Sequence, residues 1–162
     1  MPLWNRENPP HLDRSGRTNT LKKGEILSTN ISQDDAKQAV AKGILLLWND
    51  YWEEAHEIAQ SDEGERDHDF LHVIVHRREP DLNNSAYWIR ITGKHPSFGF
   101  IAERMEPLLA GNSLREKMLA NGVWNPLAFN NAIKRARKDA DIAVLRALQA
   151  EEMIAFHDWL TR

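Results

Sequence analysis

Hydrophobic residues recur at intervals of three or four positions through most of the chain after residue 31. The first run places Ala36, Val40, Ile44 and Leu47 on one face, and Ser32 precedes it as a suitable N-cap. This spacing predicts an amphipathic helix, because 3.6 residues per turn bring these positions onto one side.

Three further helices are predicted with short breaks between them. The second ends near Gln60, and the third carries the apolar run 70–75 and stops before Pro80. Asp81 caps a fourth helix that ends near Gly93. Helices joined by such short connections pack antiparallel, so the pattern predicts helical hairpins.

The second half of the chain is also helical, although its start is less regular. Segment 96–123 contains a predicted helix that Pro107 interrupts. Asn125 and Pro126 form an N-cap and first-turn pair that opens another helix, and a last helix spans 141–160. The sustained alternation typical of strands is absent from the sequence.

These elements predict an all-α fold, a compact bundle of antiparallel helical hairpins that is loosely tetratricopeptide-like, although no fixed repeat period is present. The length predicts a single helical domain over 1–162, with an irregular N-terminal arm at 1–31 and a helical core at 32–162. Trp4 and Leu12 are candidates for fastening the arm, either to the chain's own surface or to a second copy in a homo-oligomer.

Composition narrows the classes of function. The net charge of -3 gives no general attraction for phosphate backbones, so we expect no nucleic-acid partner. The sequence has no leader-like segment and no apolar run of membrane-spanning length, which predicts a cytoplasmic protein without a membrane partner. Cysteine is absent, so any metal site must use His, Asp and Glu.

The third helix carries the clearest candidate for chemistry. His72 and His76 stand one turn apart on the arc of the helix that is not covered by the apolar residues Phe70, Leu71, Val73, Ile74 and Val75. That spacing lets two imidazoles reach one metal ion. There are two candidates for the third ligand. One is His56 of the second helix, and the other is Asp69, which lies one turn before His72.

A metal-binding interpretation implies a divalent cofactor such as zinc, iron or manganese, with Glu57 or Glu79 as the general base. The competing interpretation is a polar, partly buried helix face that holds no metal, because histidine pairs at this spacing also arise by chance. A di-iron bundle is a third alternative, and it would need two further inward carboxylates, of which Glu152 is one candidate.

The corner between the third and fourth helices is a second candidate site. Guanidinium groups bind carboxylates and phosphates in a bidentate manner, and an indole can stack on a ligand. The candidate residues for binding a small anionic ligand are His56, Arg77, Arg78, Trp88, Arg90 and His95. In the alternative, structural interpretation, Arg77 and Arg78 pair with Glu79, Asp81 or Glu152.

Several of these residues belong to a longer pattern. It consists of Glu54-Ala55-His56, His72, His76-Arg77-Arg78-Glu79-Pro80-Asp81, Asn84, Tyr87-Trp88, Arg90, Gly93 and His95-Pro96. The pattern resembles a family of uncharacterised bacterial and fungal proteins, and the resemblance implies positions to inspect but no reaction. The chain departs from the family pattern at Val73, where glycine is usual.

Two functions therefore compete. The first is a helical binding or scaffold protein whose polar pocket, lined by His, Arg and Glu, takes a small anion, and it predicts ion pairs centred on arginine. The second is a metal-dependent enzyme of the hydrolase or oxidase type that uses His72 and His76, and it predicts imidazole nitrogens converging on one point.

Overall fold

The structure is a computed structural model, and it describes residues 22–28 and 35–162. Within these residues every regular element is helical, which confirms the predicted all-α fold. The α-helices are α1 (Lys23–Ser28), α2 (Asp35–Trp48), α3 (Trp52–Gln60), α4 (Arg66–Arg78), α5 (Leu82–Thr92), α6 (Phe98–Leu109), α7 (Arg115–Met118), α8 (Pro126–Arg135) and α9 (Asp139–Leu160). A 3-10 turn, Ala120–Gly122, follows α7.

Helix α4 is central to the packing. It contacts α2, α3 and α5, and every residue from His68 to Arg77 is buried. Gly43 of α2 allows one close approach, since a Cβ atom there would lie 2.5 Å from Cδ2 of Leu71. Because α4 is enclosed on several sides, its polar residues must find partners inside the protein.

Side-chain caps fix the entry points of three helices. The carboxylate of Glu65 accepts hydrogen bonds from the backbone N–H groups of Asp67 and His68 at the start of α4. The predicted caps Asp81 and Asn125 are also present, each accepting from a backbone N–H group of the first turn at 3.0 Å. The caps set where each helix begins, and so which side chains face inward.

Helix α9 closes the bundle against α2 and α6. It begins at Asp139, two residues before the predicted start. Its buried face includes Gln149 and Glu152 among apolar neighbours. Although α9 has 22 residues, none of the described helices combines the length and apolar character needed to cross a membrane.

Two sequence-based expectations differ from the structure. Pro107 lies inside α6 and does not interrupt it, because the bond that proline cannot donate would have gone to Glu103, which is exposed to water. Helix α1 lies within the segment 1–31 that was expected to be irregular. The predicted cap Ser32 and the predicted anchors Trp4 and Leu12 fall outside the described residues.

Candidate functional site

Three histidines converge where α3 packs against α4. His56 comes from α3, and His72 and His76 stand one turn apart on α4. One nitrogen from each ring can be chosen so that all three lie within 4.8 Å of one another. The three ring centroids are also 4.8 Å apart in every pair. Within the described residues, this is the one cluster of His, Asp and Glu compact enough to hold a metal ion.

The ring of His72 is the most buried of the three, with 1% of the residue exposed. Its Nε2 lies 2.9 Å from Nε2 of His56, while its buried Nδ1 has no hydrogen-bond partner. An unpartnered polar atom in the interior costs roughly 1–3 kcal/mol. Hydrogen bonds within the protein therefore leave one nitrogen of the His72 imidazole unsatisfied.

Aromatic stacking holds the His72 ring in place. The indole of Trp88, on α5, stacks on it at a centroid distance of 3.8 Å with an interplanar angle of 20°. The His76 ring stacks on His72 at an angle of 17°. The imidazole of His72 is thus fixed between two other rings, which limits its rotation.

The carboxylate of Glu79, at the end of α4, bridges the other two histidines. One oxygen lies 2.8 Å from Nδ1 of His76, and the other lies 3.6 Å from Nδ1 of His56. When both Nδ1 atoms are protonated and directed to Glu79, Nε2 of each ring keeps its lone pair. The side-chain nitrogen of Asn84 lies 3.1 Å from Nε2 of His76, so an ion at that atom would displace this amide.

The surroundings keep two of the imidazoles neutral. Burial, and then the neighbouring rings of His76 and His56, lower the pKa of His72 to about 3. Burial also lowers the pKa of His56, and the His76 ring adds to this, although the Glu79 carboxylate opposes it. A neutral imidazole has the free lone pair that a metal ligand needs.

A cavity of about 530 Å³ opens beside this cluster. It is lined by Asp50, Trp52, His56, Arg78 and Glu79. Arg78 donates to Asp50 at 3.0 Å, and Trp52 is 41% exposed. Asp50 has a φ of 68°, a left-handed conformation that Asp tolerates in tight turns, and this places its carboxylate across from α4. The size of the cavity suits a small organic molecule.

Other predicted site residues lie elsewhere. Asp69 accepts a hydrogen bond from the backbone N–H of Gly64, so His56 and not Asp69 completes the cluster. Glu57 is exposed on α3 and does not line the cavity. Arg90 is also exposed, and its guanidinium lies 5.8 Å from the centre of the Tyr87 ring.

His95 takes part in a separate buried arrangement. Its Nε2 lies 2.9 Å from a carboxylate oxygen of Asp67, and its Nδ1 lies 2.7 Å from the hydroxyl of Ser97. The order of groups resembles that of a serine hydrolase. Ser97 is completely buried, however, so a substrate cannot reach its hydroxyl, and the arrangement is structural.

Arg77 points away from the histidines into a buried ionic network. Its guanidinium pairs with the carboxylate of Glu152, and both side chains are completely buried. Nε donates to Asn130 at 2.6 Å, and the indole N–H of Trp124 donates to Glu152 at 2.7 Å. An arginine thus satisfies Glu152, as the structural interpretation predicted. With this carboxylate engaged by Arg77, the di-iron alternative has no support.

Two residues of the site were not among the candidates. Asp50 lies in the turn between α2 and α3, and its pairing with Arg78 depends on how this turn lies over α4. Asn84 appeared only within the family pattern, where its position eight residues after His76 was the available signal.

Comparisons of the chain with protein-family models, with curated proteins and with solved structures find no match. The site is therefore interpreted from its own geometry.

Proposed function

We propose that the protein is a metal-dependent enzyme of the hydrolase type, with its divalent ion held by His56, His72 and His76. The observation that carries this proposal is the convergence of three imidazoles from two helices. Three protein ligands that leave one coordination position open are typical of catalytic zinc sites. Imidazoles suit zinc, iron and copper better than magnesium or calcium, which prefer oxygen ligands.

The unpartnered Nδ1 of His72 supports the proposal. Three imidazoles, two of them buried, lie beside one another, and one buried nitrogen among them has no hydrogen-bond partner. An ion coordinated by Nδ1 of His72 would offset that cost, because it would give this nitrogen a partner. The stacking of Trp88 on His72 preserves the ring orientation whether or not the ion is bound.

Glu79 is the candidate proton acceptor. Its carboxylate lines the cavity and also contacts His76, so it lies at the edge of the histidine cluster. An ion held by the three histidines would supply Lewis acidity and make a nearby water molecule a better nucleophile. Glu79 would accept the proton of that water and return it to the leaving group, so that one water molecule would be consumed for each bond broken.

The competing anion-binding function has less support at this site. Arg77 is fully buried against Glu152, Arg78 pairs with Asp50, and Arg90 lies outside the cavity lining. The arginines proposed to hold an anion are thus engaged with internal carboxylates or lie elsewhere. Cytoplasmic location and assembly through the N-terminal arm remain predictions.

Elemental analysis of untagged protein, followed by titration of the metal-free protein with Zn²⁺, Mn²⁺ and Fe²⁺, tests the proposal. We expect close to one ion per chain, and loss of that ion in the double variant His72→Ala, His76→Ala. His68→Gln is the matched control, since His68 lies buried on the same helix but outside the cluster. A metal-free wild type that does not bind these ions contradicts the proposal.

Glu79→Gln separates catalysis from binding. The amide oxygen can still accept from the closer Nδ1, that of His76, but the contact with His56 is lost and the side chain cannot take up a proton. We expect Glu79→Gln to keep the ion while hydrolysis in an ester, amide and phosphodiester screen falls about 100-fold or more, the scale of general-base catalysis. Glu79→Ala, which loses the hydrogen-bond acceptor as well, is expected to weaken both ion binding and hydrolysis. Full activity in Glu79→Gln would exclude Glu79 as the base.

A further inference from the structure

A second cavity, of about 650 Å³, lies on another part of the molecule. Its walls come from the corner between α4 and α5, the end of α8 and the start of α9, and they share no residue with the cavity beside the histidines. The volume lies within the roughly 300–1,000 Å³ that is common for small-ligand pockets.

Positive charge dominates the rim of this cavity. Lys134, Arg137 and Arg146 line it, and Asp139 is the one acidic residue among the described residues of its wall. This is a local excess of positive charge in a chain whose net charge is -3. A cavity with such a rim attracts small anions electrostatically.

The two cations from the end of α8 are held by neutral groups. The ammonium of Lys134 donates to the side-chain oxygen of Asn83 at 3.0 Å. Arg137 donates to the backbone carbonyl oxygens of Lys134 at 2.9 Å and Ala136 at 2.7 Å. Within the described part of the chain, neither residue lies in an ion pair with a carboxylate. Their side chains are therefore oriented while their charges are not neutralised locally.

The floor of the cavity is apolar. Leu82, Ile133 and Ile142 line it and are each half-buried, so an apolar group placed over them would lose contact with water. Arg77 also lines the cavity, but its side chain is 0% exposed while the whole residue is 3% exposed. Its contribution is thus the backbone, and its guanidinium is not available to a ligand here.

We propose that this cavity binds a small amphipathic anion, with the charged head between Lys134 and Arg137 and the apolar stem over Leu82 and Ile142. A carboxylate or phosphate head suits the guanidinium of Arg137. The site is separate from the proposed metal centre and does not depend on it.

Isothermal titration calorimetry of the full chain tests this with three probes: octyl phosphate, octanoate and the neutral octanol. We expect saturable binding of one or both anions, with octanol at least about tenfold weaker, because the neutral alcohol cannot form charge-assisted hydrogen bonds. Preference for octyl phosphate over octanoate, or the reverse, identifies the head group. Absence of saturable binding of both anions would overturn the proposal.

Two variants show whether binding occurs in this cavity. Lys134→Gln, Arg137→Gln is expected to weaken the anionic probe about tenfold or more, whereas Lys117→Gln, Arg135→Gln, which removes cations from the neighbouring cavity on α8, should leave it unchanged. Leu82→Ser should weaken octyl phosphate but not inorganic phosphate. Equal losses of affinity in both double variants would contradict the proposal. A change in thermal stability without a change in affinity in Lys134→Gln, Arg137→Gln would also contradict it.

Discussion

Two buried polar clusters share helix α4 and differ in the charges that they bring together. His76 and Arg77 are consecutive, yet His76 faces α3 and Arg77 faces α8 and α9. Around Arg77, opposite charges meet and amide oxygens accept from the guanidinium, although its Nη2 atom also has no hydrogen-bond partner. Around His72, neutral rings face one another and Nδ1 has no partner. The first arrangement stabilises the bundle by itself, whereas the second is suited to receiving an ion.

Breaking the Arg77 network is expected to have the largest effect. Arg77→Met leaves the Glu152 carboxylate buried without its counter-charge, so the free energy of unfolding should fall by about 3–5 kcal/mol. The double variant Arg77→Met, Glu152→Leu should recover much of that loss, because no buried charge remains. Urea denaturation measures both. A single variant as stable as the wild type would show that the pair contributes little.

A substitution in the histidine cluster, unlike one in the Arg77 network, should not destabilise the metal-free protein. His72→Phe keeps a ring stacked on Trp88 and removes the unpartnered nitrogen, so the metal-free protein should be as stable as the wild type or about 1 kcal/mol more stable. Affinity for Zn²⁺ should fall about 100-fold, since one of three ligands is lost. A variant that binds zinc like the wild type would remove His72 from the site.

The low pKa of His72 predicts how stability depends on pH in the metal-free protein. Its folded pKa of about 3 lies below the ordinary value of 6.5, so the unfolded chain binds the proton more readily. The stabilising contribution is therefore complete above about pH 6.5 and is lost as the pH falls toward 3. Urea midpoints at pH 7 and pH 5.5 should differ more in the wild type than in His72→Phe. The same change in urea midpoint in both proteins would show that the low pKa of His72 does not cause the loss of stability.

Trp88 gives the smallest expected effect. Trp88→Leu removes the stacking that orients His72, and zinc affinity should fall about tenfold or less, the scale of one aromatic pair. Trp88→Phe is the control, because a smaller aromatic ring still stacks. If Trp88→Leu and Trp88→Phe bind zinc equally, stacking does not position His72.

Local patterns predicted much of the fold. The spacing of apolar residues located α3, α4 and α5, and the caps Asp81 and Asn125 were found where their side chains suggested. The last turn of α6 was not foreseen, because a proline near a solvent-exposed helix end costs less than one in the interior. Helix caps and apolar spacing depend on residues that are close together in sequence, so they can be predicted from the sequence alone.

The site was predictable only as far as its contacts are local. The pair His72 and His76 follows from their spacing on one helix, whereas the choice of His56 over Asp69 depends on how α3 lies across α4. Glu152 was expected to have an arginine partner, and Arg77 is that partner. The pairing of Arg78 with Asp50 was not foreseen, since a turn distant in sequence supplies the carboxylate.

X-ray absorption spectroscopy of the zinc-loaded, untagged protein tests the metal-centre proposal most directly. The proposal predicts three imidazole nitrogens at about 2.0–2.1 Å and an oxygen ligand, with one imidazole lost in His72→Phe. A spectrum with a single imidazole, or zinc that does not remain bound through desalting, would contradict a metal centre formed by His56, His72 and His76.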